Sequence, residues 1–192
     1  MSEKKYNAYW FDPGFTKHIH HLKHEDVKFL EVGSFEGFST NFFLEFFLTH
    51  NNATITVVDP WIKYSESTVA NISGLDNLIN DNTYELFLQN TEMYEDKIIK
   101  HRGFSKDILP LLEQEYDFIF IDGDHSTEAV MQDAVDAFKL LKVNGIMVFD
   151  DYEWAWSNTS PKPAVDQFIS DYADKIEVLE KNYQLTLKKL CD

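Results

Sequence analysis

Cysteine is nearly absent from the chain: Cys191 is the one thiol in 192 residues. A lone cysteine closes no intramolecular disulfide and supplies no thiolate cluster for zinc, which fits a reducing, intracellular setting. Basic residues are scarce too, 17 against 33 acidic ones, for a formal charge of −16. A field of that sign repels a phosphate backbone, so nucleic acid is not an expected partner. It suits a cationic ligand such as a metal ion or a sulfonium, and serves equally as a solubility device. No apolar run approaches the ~20 residues that cross a bilayer, and the opening MSEKKYNAYWFDPG lacks the apolar core of a signal peptide. A cytoplasmic protein without a membrane partner is expected. No repeat or low-complexity linker appears, and the length suits one domain over 1–192.

What is present is ample apolar material: 44% hydrophobic residues, with 16 Phe, enough for a compact core. Four short runs, KFLEV at 28–32, TITVVD at 54–59, DFIFID at 117–122 and GIMVFD at 145–150, are apolar without strict alternation. Strands covered on both faces read this way. Helical periodicity lies between them, in STNFFLEFFLTH at 39–50 and STEAVMQDAVDAFKLLK at 126–142. Ser126 or Thr127 offers an N-cap and Asn144-Gly145 a stop. A weaker strand is predicted at 97–101, a short helix at 106–112, and an antiparallel hairpin around Lys181-Asn182. Strand and helix alternating in this manner predict an α/β, doubly wound, mostly parallel sheet with helices on both faces. Residues 1–27 read as an N-terminal cap segment, and 61–95, too long for a plain connection, as an insertion carrying a helix near 75–93 and forming a candidate lid.

Ligands of open α/β sheets bind beyond the carboxyl ends of the strands. After the first run comes Glu31-Val-Gly33-Ser34-Phe35-Glu36-Gly37-Phe38-Ser39, a turn whose glycines let backbone approach a ligand ahead of a helix N-terminus. Phe35 stands where the dinucleotide-binding G-x-G-x-x-G has its second glycine. The second run ends in Asp59, a position suited to ribose hydroxyls. Asp122 ends one later run, and Asp150 and Asp151 end the next. Neighbouring strands are ~4.8 Å apart, so three carboxylates can converge where only a proton or a cation relieves their repulsion. A hard divalent ion such as Mg2+ is the natural occupant. His125 can accept a proton near neutrality or simply cap the helix that follows.

The ordered set EVGSFEGFST, VVDPW, RGFS, YDFIFIDGDH and LLKVNGIMVFDDY resembles class I S-adenosylmethionine-dependent methyltransferases, in particular the small catechol and macrocin O-methyltransferase-like group, from about Phe29 to Tyr152. The resemblance implies a Rossmann-like, seven-stranded fold with S-adenosylmethionine and a divalent metal as cofactors. It places Glu31, Gly33, Ser34 and Gly37 in the cofactor turn, Ser39 at the methionine carboxylate, Asp59 at the ribose and Ser105, in Gly103-Phe104-Ser105, at the adenine. Asp122, Asp150 and Asp151 match its metal ligands, Asp122 also lying beside the cofactor. His125 stands where catechol-type relatives carry a catalytic Lys, and so takes the place of the general base. The implied reaction is methylation of a hydroxyl, on a sugar or glycan first and a small phenol second. Two alternatives stay open: a metal-dependent glycosyltransferase using the Asp122-Gly123-Asp124 string, and a non-catalytic cofactor-binding module. His18, His20, His21 and His24 read as a solvated segment with room for a substrate contact; Trp10, Phe11, Trp154 and Trp156 are candidate walls of an acceptor pocket or plain core. The aromatic N-terminal segment is a candidate surface for a homodimer.

Overall fold

The computed structural model of the chain describes residues 4–62, 82–155 and 159–192. Seven strands form one sheet: β1 (Lys28–Val32), β2 (Thr54–Asp59), β3 (Ile98–Arg102), β4 (Tyr116–Ile121), β5 (Leu141–Phe149), β6 (Ile176–Lys181) and β7 (Leu185–Lys189), in the order β3-β2-β1-β4-β5-β7-β6. β1 to β5 are parallel, while β7 runs antiparallel to both β5 and β6, so the predicted C-terminal hairpin closes one edge. The order reverses direction between β1 and β4, and that switch brings the ends of both strands to one crevice.

Period-two alternation sorts the strand side chains to two faces. Phe118, Phe120, Ile55, Val57, Ile146 and Val148 pack with Phe15, Phe43 and Phe87 from α1 (Thr16–Ile19) with its preceding turn, α2 (Phe38–Phe46) and α3 (Thr83–Thr91). Ile119, Ile121, Met147 and Phe149 pack on the other face with Val130, Ala134 and Phe168 from α5 (Thr127–Leu140) and α6 (Lys162–Asp171). Between β3 and β4 lies α4 (Ser105–Ile108), a single turn continued by a 3-10 turn through Leu111, because Pro110 has no N–H to extend an α-helix.

The Ser126 cap forms as expected, its hydroxyl accepting from the Ala129 N–H at 3.3 Å. α5 stops at Leu140, earlier than the periodicity implied, and β5 begins at once at Leu141. Asn144 is not a helix stop: it adopts φ 70° within β5, where the pairing with β4 shifts register. The helix expected near 75–93 is described from Thr83 as α3; its earlier part lies outside the described residues, as do most of the candidate lid and Trp156. Among the described residues no helix is long and apolar enough to cross a membrane.

The N-terminal segment is fastened across the start of α2. Asn7 donates its backbone N–H and Nδ2 to the two oxygens of buried Glu36, each at 2.6 Å. Asn90 holds Lys5 from both sides, accepting its N–H at 2.7 Å and donating to its carbonyl at 2.8 Å. Phe11 packs among Phe38, Phe42, Phe43 and Phe120 as core, whereas Trp10 stays exposed and stacked on Phe35.

Candidate functional site

Two glycines shape the turn between β1 and α2. Gly33 has φ 82°, and a Cβ there would sit 2.0 Å from the Asp122 carbonyl oxygen. This position therefore requires glycine, and the turn after β1 touches the backbone that follows β4. Gly37, at φ 81°, meets Thr91 and Phe87 in the same way and opens α2. Phe35 between them is also left-handed, at φ 47°.

Glu31, at the end of β1, is fully buried; its two oxygens accept hydroxyl protons from Ser39 and Thr40 in the first turn of α2. Burial pushes its carboxyl up to about 7, and nearby Asp59 adds to the rise. The Ser39 hydroxyl is thus committed inward. What α2 offers an anion at this end is the set of free N–H groups of its first turn. Asp59 accepts from the N–H groups of Ser34, Phe35 and Trp61 at 2.9, 3.0 and 2.6 Å. Burial raises its carboxyl above the ordinary value even so. Three donors leave the carboxylate one lone-pair direction for a further hydroxyl. Ser34 Oγ is buried beside it without a partner. A glycine-lined turn, an unsatisfied buried hydroxyl and an acid with spare accepting capacity are what an extended, polar cofactor requires of this edge.

Next to the turn stands a second group. Asp122, His125 and Asp151 each offer a ligand atom, all within 4.8 Å of one another. His125 Nε2 lies 3.5 Å from both Asp122 Oδ1 and Asp151 Oδ2. Desolvation first, and then the charges of Asp151, Glu31 and Asp59, hold the Asp122 carboxyl well above its usual range. The donor set, two carboxylates and one imidazole with mutual repulsion to relieve, fits a divalent cation.

Asp150 is not brought into this group. It turns inward, where Gln184 Nε2 donates to its Oδ1 at 2.6 Å, and burial lifts its carboxyl to about 8. The reason is local. Asp151 is left-handed, φ 52°, and its carboxylate meets His125, whereas the carboxylate of Asp150 meets Gln184 just ahead of β7. His125 takes the third place that the strand-end pattern gave to Asp150. The group is buttressed by residues without a sequence motif: Tyr183, in the β6–β7 turn, donates to Asp151 Oδ1 at 2.6 Å, and Gln184 also donates to the Asp12 carbonyl at 2.9 Å. Trp154 meets the His125 ring edge-on at 4.9 Å. The N-terminal histidines do not converge: His18 pairs with Glu180 at 2.9 Å, His24 with Thr49, and His20 and His21 are exposed.

A family model described as a methyltransferase domain matches residues 30–152. An uncharacterized protein, R132, of Acanthamoeba polyphaga mimivirus is 27% identical over 172 residues, 84% of this chain and 71% of its own. Among solved structures, a Clostridium thermocellum protein provisionally assigned as an rRNA-methylase superposes with a TM-score of 0.68 at 12% identity, covering 96% of this chain and 99% of that one. MycE, a methyltransferase from the mycinamycin biosynthetic pathway solved with Mg, S-adenosylhomocysteine and mycinamycin VI, gives 0.64 at 16% identity, covering 97% of this chain and 50% of MycE.

Proposed function

The chain belongs to the class I S-adenosylmethionine-dependent methyltransferase domains, and we propose that its reaction is a cation-assisted O-methylation of a hydroxyl on a glycan or other small acceptor. The observation that carries this reading is the junction of two groups at one sheet edge: the Gly33 turn abuts the Asp122 backbone, and Asp122 leads into the cluster with His125 and Asp151.

The cofactor supplies an activated methyl on a sulfonium, so the protein's share is alignment, charge and proton handling. Gly33, Ser34, Gly37 and the α2 N-terminus, braced from within by Glu31, would line the methionine side, Asp59 the ribose and Ser105 the adenine. Asp122 and Asp151 would hold the divalent cation, which lowers the pKa of a bound hydroxyl and stabilises the oxyanion. His125 Nε2 takes the acceptor's proton, and the flanking carboxylates stabilise the imidazolium. A second reading has its own support: Nε2 is the atom that faces both carboxylates, so His125 serves instead as the third ligand. Asp150 then keeps Gln184 and the N-terminal segment in place.

The charge of −16 supports a small acceptor over a phosphate polymer, and the rRNA-methylase likeness is one of fold. MycE's Mg and mycinamycin VI support the cation and an alcohol of natural-product type. Manganese binding followed by electron paramagnetic resonance tests the cluster. One site is expected in the wild type and none in Asp151→Ala, with S-adenosylhomocysteine affinity kept. Retention of manganese by His125→Ala, with turnover lost, assigns the histidine as base; loss of both assigns it as ligand. Turnover that is unchanged in chelator removes the cation from the reaction.

A further inference from the structure

Trp61 is 3% exposed and left-handed, φ 42°, and Phe35, in the turn after β1, is left-handed too, φ 47°. Side chains of this bulk take such a conformation only where the surroundings impose it. Both residues answer to one carboxylate. Phe35 gives its N–H to Asp59 Oδ2 at 3.0 Å. Trp61 gives its own to Oδ1 at 2.6 Å, and this is the first N–H after Asp59, since Pro60 has none. The indole completes the circuit: Nε1–H donates to the Phe35 carbonyl at 2.8 Å, across 26 positions of sequence. Tyr84 and Phe87 of α3 fix the indole, each ring 4.8 Å from it, and Phe87 is also one of the side chains packed against Gly37.

The peptide that the indole grips is the pivot of the turn. Gly37 donates its N–H to the Ser34 carbonyl at 2.7 Å, so residues 34–37 form a β-turn whose central peptide joins Phe35 to Glu36. Turns of this kind interconvert by flipping that central peptide, and the bond that closes the turn is compatible with either orientation. Asp59 holds the peptide before Phe35 and does not choose between them. The indole does: with the Phe35 carbonyl bound to Nε1–H, the Glu36 N–H on the other side of the trans peptide faces away from Trp61. We propose that Trp61 is a positioning residue for the cofactor, whose indole N–H, rather than its bulk, pins the central peptide of the Ser34–Gly37 turn in the orientation that receives S-adenosylmethionine. This rests on the reading above, in which the Gly33 turn is the cofactor turn.

Two substitutions separate the donor from the bulk. Trp61→His puts an imidazole Nε2 at the ring position of the indole Nε1, able to donate in its neutral form at pH 8, but loses the second ring. Trp61→Phe keeps the larger apolar ring against Tyr84 and Phe87 and has no donor. Calorimetric titration with S-adenosylhomocysteine at pH 8, on protein shown to be folded by urea unfolding, is expected to give an affinity about tenfold below wild type for the Phe variant. The His variant is expected to stay within about threefold, although it is the less stable of the two. Amide hydrogen exchange of the ligand-free protein reads the turn without the cofactor: exchange over residues 34–37 is expected to quicken about tenfold or more in the Phe variant and to stay near wild type in the His variant. A Phe variant that binds as tightly as the His variant overturns the proposal, as does exchange in the turn that the Phe substitution leaves unchanged. Either result leaves the cofactor reading standing. Failure of the wild type itself to bind S-adenosylhomocysteine refutes that reading, and this proposal with it.

Discussion

Replacing Glu31 by Gln keeps the side-chain shape and removes one buried charge. The carboxyl is fully buried, and burial raises it from its ordinary 4.5 to about 7. Between those values the unfolded chain has lost the proton that the folded chain retains, so stability falls as pH rises from about 4.5 to about 7 and is level above that. For a shift of that size the loss between pH 5 and pH 8 is on the order of 2.5 kcal/mol. Gln has no charge to lose: its Oε1 accepts one of the two hydroxyls, Ser39 or Thr40, and its amide donates to the other after a hydroxyl rotation. Urea unfolding of both proteins at pH 5, 6, 7 and 8, in chelator and without cofactor, is therefore expected to give curves that diverge with pH. The Gln variant gains on the wild type by about 2.5 kcal/mol across the range. A difference that stays constant from pH 5 to pH 8 would refute the claim that Glu31 is charged against its surroundings.

Gly33→Ala places a Cβ 2.0 Å from the Asp122 carbonyl oxygen at φ 82°, and is expected to cost more than about 4 kcal/mol and abolish S-adenosylhomocysteine binding, seen in thermal melts and calorimetry. Tyr183→Phe deletes the 2.6 Å bond to Asp151, and is expected to weaken manganese binding about tenfold while leaving S-adenosylhomocysteine affinity unchanged. Asn90→Ala removes bonds that tie Lys5 and the Glu36 carbonyl to α3, and is expected to lower unfolding free energy by about 2–3 kcal/mol, with proteolysis starting in the N-terminal segment.

The sheet was legible because its central strands are apolar on both faces, and only a strand covered by helices on either side reads that way. Boundaries were harder. The join of α5 to β5 occurs between two leucines, and Asn144, a reasonable helix stop, bends a strand instead. Strand-end acids pointed to the edge where Asp122, His125 and Asp151 come together, yet adjacency could not say which of Asp150 and Asp151 faces that group, since a left-handed residue decides it. Tyr183 and Gln184 sit in a hairpin turn with no periodic signal, and only tertiary structure carries them to Asp151 and Asp150.

Diffraction from a crystal grown with S-adenosylhomocysteine and Mn2+, recorded at the manganese edge, bears most directly on the shared edge. The expected result is one anomalous peak bonded to Asp122 and Asp151, with the homocysteine sulfur on the same side of the sheet and the ribose at Asp59. A peak elsewhere, or the nucleoside bound away from the Gly33 turn, would contradict it.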